Sequence, residues 1–190
     1  MSEAQAQEVQ EVGCEDFLGK MLKAVKTELR AGDDVKVISN DVSGSYSIVV
    51  VDSDVSVMLS CFSGRPRFNA VARVFAYKAF DVLEIMAEGD DPDATLKELK
   101  AKAANVIVAY AKAMLGITKA MARDASRAKG SLMGYYKAMA ALRASQIYVW
   151  RVVVNLQNLA RLLDLEATDV SHELDKILKE LGDVEEELAK

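Results

Sequence analysis

Few residues of this chain could do chemistry on a bound molecule. His172 follows Asp169 by three positions, the carboxylate–imidazole spacing of carboxylate-bridged metal sites, with Glu166 and Glu173 close by. A site of that kind needs a second acid-x-x-His motif, which a chain with one histidine cannot supply. Asp169 and His172 are therefore expected to cap a helix or lie on the surface, and no metal is expected. Asp52 with Asp54, and Asp90 with Asp91 and Asp93, could face a hard cation. Neither group has the spacing or the closing glutamate of a calcium-binding helix–loop–helix, so both read as turn residues. Cys14 and Cys61 lack any zinc-type spacing and are too few for a disulfide framework. They read as two reduced thiols packed as small apolar groups.

Nucleophilic and phosphate-binding motifs are missing as well. There is no Gly-x-Ser-x-Gly elbow and no Cys/His pair spaced for attack. Ser43-Gly44 and Ser63-Gly64-Arg65 come nearest to phosphate loops, but neither matches a Walker or dinucleotide fingerprint. Arg65 and Arg67 stand just before an expected helix N-terminus, an arrangement suited to an anion. An enzyme is disfavoured, and no cofactor is expected.

Charge is more informative than motif. The total of −5 conceals blocks of opposite sign. Residues 97–161 hold twelve Lys/Arg and only Glu98 and Asp124 as acids, a block of +10. Residues 68–96 sum to −4 and residues 162–190 to −7. Such asymmetry suggests a polyanionic partner, or an acidic partner within the chain, for the basic block. Tyr135, Tyr136, Tyr148 and Trp150 lie in that block and could stack on bases if exposed, although core packing is the commoner use of such residues.

The elements that must position these charges follow from apolar spacing. Residues 1–12 have no apolar period and read as a flexible tail. Phe17, Leu18, Met21, Leu22, Val25 and Leu29 predict a first helix ending near Gly32. Val35 to Ile38, Tyr46 to Val51 and Val55 to Cys61 are β-branched runs bounded by turn residues and predict a three-stranded antiparallel meander. Asn69 can cap a covering helix through about Ala87. From Thr95 to about Ala128, Leu96, Leu99, Ala103, Val106, Tyr110, Met114, Ile117 and Met121 form one apolar stripe. Lys97, Lys112, Lys119, Arg123 and Arg127 fall on the opposite side. Gly130, Ser131 and Gly134 supply a reversal, and a partner helix continues to Leu163. Val170, Leu174, Ile177, Leu181, Val184 and Leu188 then trace a heptad stripe on an acidic helix, which should dock on its own bundle or on a copy of itself.

The expected fold is α+β and mostly α. A subdomain over residues 13–91, a three-stranded meander packed by helices, precedes a helical bundle over residues 92–190; the alternative is one continuous domain. By architecture alone this is similar to small helical subunits of CRISPR surveillance complexes and to helical coat proteins of archaeal filamentous viruses, an analogy that names no family. The expected function is a non-enzymatic subunit of a nucleoprotein assembly. Lys97, Lys112, Lys119, Arg123 and Arg127 contact phosphates in that reading, and Arg65 and Arg67 are a further anion contact. The alternative is a self-assembling or protein-binding module that uses the stripe from Val170 to Leu188, and an unrecognised enzyme stands third. No apolar run is long enough to span a bilayer, and the start at Met1 lacks a secretory pattern, so the expectation is a cytoplasmic chain with no membrane partner.

Overall fold

The computed structural model describes residues 13–31, 35–40, 44–63, 67–76, 80–165 and 169–184. The expected tail, Arg65 and Leu188 lie outside them. Five strands form one antiparallel meander in the order β1 (Val35–Asn40), β2 (Ser45–Asp52), β3 (Val55–Cys61), β4 (Phe68–Ala76) and β5 (Phe80–Gly89). Two strands more than expected are present, because residues 69–87 are not a helix. Along β4 the side chains of Phe68, Ala70, Ala72, Val74 and Ala76 are all buried, the period of two that marks a strand with one covered face. Val37, Ile48, Leu59, Ala70 and Ala87 stand in one row across the five strands on that face. The α+β, mostly helical class remains; the strand count and the covering helix are corrected.

The helices close over this face. They are α1 (Leu18–Glu28), α2 (Pro92–Arg127), α3 (Leu132–Leu162) and α4 (Asp169–Gly182). Helix α1 packs on β2, α2 on β4 and β5, and α3 on β3 and β4. Asp91 caps α2, its carboxylate accepting from the Ala94 N–H at 2.9 Å, with Pro92 at the first helical position. Ser131 caps α3 in the same way, accepting from Gly134 at 3.2 Å after a short 3-10 turn over Ala128–Gly130. The reversal expected at Gly130 and Ser131 therefore produces the helical hairpin. One contiguous core runs from Cys14 through the sheet to Val184, so sheet and bundle share their buried side chains. Each fully buried large residue in it, Leu59, Leu99 or Leu156 for example, contributes on the order of 1.5–3 kcal/mol. Among the described residues no helix is long and apolar enough to cross a membrane.

Cys14 and Cys61 are not separate thiols. They are joined as a disulfide with their Cα atoms 5.7 Å apart, tying the start of the first helical segment to the end of β3. Beside the bridge, Phe17 packs edge-on against Phe68 with ring centroids 5.5 Å apart. Two cysteines far apart in sequence carry no pairing signal; the docking of this segment on the sheet brings them together.

Candidate nucleic-acid interface

The long helix α2 faces its neighbours differently from the pattern of its large apolar residues. Beyond its first turn, the buried positions are Leu96, Leu99, Ala103, Ile107, Ala111, Leu115, Thr118, Ala122 and Ala125, whereas Val106 and Ile117 are exposed. At 100° per residue this stripe lies roughly 70° around the helix from the expected one. The rotation moves toward the lysines, so Lys97, Lys112 and Lys119 flank the core while Arg123 and Arg127 face away from it.

The flanking lysines are met by acids, Lys112 and Lys119 by those of another helix and Lys97 by one of its own. Lys112 Nζ lies 2.6 Å from Glu173 Oε2, and Lys119 Nζ donates to Glu180 Oε2 at 2.7 Å. Both glutamates belong to α4, which runs parallel to α2. The hydrogen bond and charge of Lys112 hold the Glu173 carboxyl below its ordinary value of 4.5, and the hydrogen bond from Lys119 does the same for Glu180. Lys97 donates to Asp93 at 2.7 Å and lies 3.8 Å from Glu28, and Asp93 pushes its pKa up. Nearby, Lys100 reaches the nearly buried Glu28 at 3.2 Å. The acidic C-terminal helix thus neutralises the middle of the basic face. Val170, Leu174, Ile177, Leu181 and Val184 are buried against the bundle, so in the single chain that stripe is core.

The far end of the α2–α3 hairpin is different. Gln146 donates to the Leu181 carbonyl at 3.4 Å and Gln157 to Asp175 at 2.7 Å, so α4 runs antiparallel to α3 and ends beside Gln146. Beyond that level, residues 120–146 carry Arg123, Arg127, Lys129, Lys137 and Arg143 against one acid, Asp124. Asp124 meets Arg127 at 3.4 Å in an exposed pair. Lys129, Lys137 and Arg143 were not singled out by the α2 stripe, yet they were legible as the part of the basic block farthest from any acidic segment. Leu132, Met133 and Tyr136 are exposed at this tip, and Trp150 further along α3; Tyr135 and Tyr148 are half-buried.

The other candidates are absorbed by structure. Arg67 places its guanidinium over the Phe17 ring at 4.9 Å, and β4 occupies the position of the helix start that the anion site required. Asp54 pairs with Arg151 and Asp52 with Arg161, each at 2.9 Å, which ties the β2–β3 turn to α3. His172 is exposed, and no group of three His, Cys, Asp or Glu side chains among the described residues is placed to hold a metal. A polar depression of about 380 Å³ between α3 and α4 is lined by Gln157, Asn158, Arg161, Ser171 and Asp175. Arg161 also bonds Asn158 at 3.3 Å, so its groups mostly engage each other. No family model, curated protein or solved structure matches this chain.

Proposed function

We propose that the protein is a non-enzymatic, nucleic-acid-binding subunit that contacts the phosphate backbone with the tip of its α2–α3 hairpin. One observation carries this reading. The lysines along α2 are matched by Glu28, Asp93, Glu173 and Glu180, whereas Arg123 and Arg127 face away from the core in a stretch, residues 120–146, whose sequence has five basic groups and one acid. A compact cationic end on a rigid helical arm suits backbone contact without sequence readout. Of the residues first considered, Arg123 and Arg127 keep this role; Lys97, Lys112 and Lys119 act inside the fold. The disulfide fits a compartment in which such bonds persist.

Fluorescence anisotropy with labelled single- and double-stranded oligonucleotides at about 50 mM salt tests the proposal. Binding that weakens strongly when Arg123, Arg127 and Lys129 are changed together to alanine supports it. Absence of binding to either form, or binding indifferent to that triple change, overturns it.

A further inference from the structure

Helix α3 has a second apolar face on which none of the described residues packs. Its core side is formed by Leu142, Val149, Val152, Val153, Leu156 and Leu159. On the other side Met133, Tyr136, Ile147 and Trp150 are 66%, 63%, 66% and 56% exposed. At 100° per residue these four fall within an arc of roughly 100°, along about 26 Å of helix. Between them lie the exposed alanines Ala140 and Ala144. Toward α4 the stripe opens into a groove of about 370 Å³ lined by Gln146, Ile147, Trp150, Leu178, Leu181 and Gly182. Single exposed apolar residues need no explanation, but four large ones on one arc of a helix, two at each end of a stretch of alanines, mark an interaction surface.

We infer that this face is the contact between two copies of the chain, which pair antiparallel through α3 about a two-fold axis midway between positions 141 and 142. The spacing is symmetric about that point. Tyr136 lies as far before it as Ile147 lies after it, and Met133 as far before it as Trp150 after it. An isologous contact has this property, since each residue must meet its symmetry mate's counterpart. Tyr136 of one copy then rests against Ile147 of the other, the alanines let the helices approach at the centre, and Met133 and Trp150 close the two ends. Arg143, in the same arc, falls opposite Ala140, whose small side chain leaves its guanidinium room beside a tyrosine ring.

The area is sufficient for a weak to moderate dimer. Side chains of this size carry on the order of 150–250 Å² each, so the four present about 500 Å² per copy and a pair buries about 1,000 Å² in total. Over its 31 residues α3 bears no acid, and Arg151 and Arg161 are paired with Asp54 and Asp52, so the contact is apolar and opposed mainly by Lys137 on its flank in each copy. Added salt screens that repulsion and strengthens the pairing, whereas it weakens phosphate binding. The inference therefore stands apart from the proposed function and can succeed or fail without it.

Sedimentation velocity of the full chain over a concentration series, at low and at high salt, tests it. The expected result is a monomer–dimer equilibrium that moves toward dimer as salt rises. Ile147→Asp should yield monomer with unchanged circular dichroism, because Ile147 is exposed in the single chain. Ala140→Cys, close to the axis, should cross-link to itself under mild oxidation, while Ile117→Cys on α2 should not. A chain that stays monomeric at about 100 μM, a dimer that dissociates as salt rises, or cross-linking at residue 117 but not at 140 overturns the inference.

Discussion

Removing the Cys14–Cys61 bridge should lower the stability of this protein chiefly by freeing its unfolded chain. The bond spans 47 residues of sequence. Closing a loop of that length removes unfolded-chain entropy worth about 4 kcal/mol at 25 °C, an upper figure because a compact denatured chain is already partly constrained. At the 2–4 °C per kcal/mol typical of a chain this size, the melting temperature should fall by about 8–16 °C. Cys14→Ser, Cys61→Ser and the double variant distinguish the cross-link from packing. If the cross-link dominates, all three melt at nearly the same temperature, because the first substitution already opens the loop. If the two sulfurs act only as buried apolar groups, which Cys61 at 0% and Cys14 at 4% exposure also are, the single losses add in the double variant. Thermal melts followed by circular dichroism supply the temperatures, and thiol titration in denaturant supplies the redox state. Two titratable thiols in the purified, unreduced protein, or additive single losses, would refute the reasoning.

Three smaller effects should accompany it. Glu173 and Glu180 have carboxyl pKa values lowered by their lysines, so their contribution is present above the ordinary carboxylate range and is lost as pH falls through the depressed values. Acid titration should therefore loosen α4 below about pH 4, read by the fluorescence of Trp150, the one tryptophan, which shares a groove with Leu178 and Leu181; a flat signal to pH 2 contradicts this. Gly89→Ala would place a Cβ 2.6 Å from Thr95 Oγ1, which is itself bonded to the Asp91 carbonyl at 2.6 Å, and should cost about 1–3 kcal/mol by urea unfolding. Asn155→Leu removes the donor to the Phe75 carbonyl at 2.9 Å in a buried setting and should cost about 1–3 kcal/mol, whereas Asn158→Leu nearby should cost less than 1 kcal/mol.

The helical half was legible in the sequence because its signals are local. The apolar stripe from Leu96 marks α2, though the Asp91–Pro92 cap starts it three residues before the expected Thr95, Gly130 and Ser131 turn the chain, and the heptad from Val170 marks α4; each depends on residues within one or two turns. The sheet half was misread where two periods coincide. Val71, Val74 and Phe75, and again Val82, Ile85 and Met86, satisfy spacings of three and four, while β4 uses the alternation of Ala70, Ala72 and Val74. The orientation of α2 was hidden by size. Close helix packing buries Ala103, Ala111, Ala122 and Ala125 and turns the bulkier Val106 and Ile117 outward, so the large residues alone point to the wrong face. That error also placed Lys112 and Lys119 on open surface, when they stand at the seam with α4. The disulfide and the outward stripe of α3 depend on tertiary docking. The stripe could still have been found by projecting all of α3 and noticing apolar residues on two opposite arcs.

The most direct test of the hairpin tip as the binding end is the slope of log affinity against log salt for a duplex oligonucleotide. The wild-type chain is compared with Arg123→Ala/Arg127→Ala/Lys129→Ala and with Lys112→Met/Lys119→Met. If the tip makes the phosphate contacts, the triple variant loses about 2.7 from the slope, at 0.9 per contact, and the lysine pair keeps the wild-type slope. If the lysine pair flattens the slope and the triple variant does not, the contact lies on the face that α4 flanks, and the assignment to the tip is wrong.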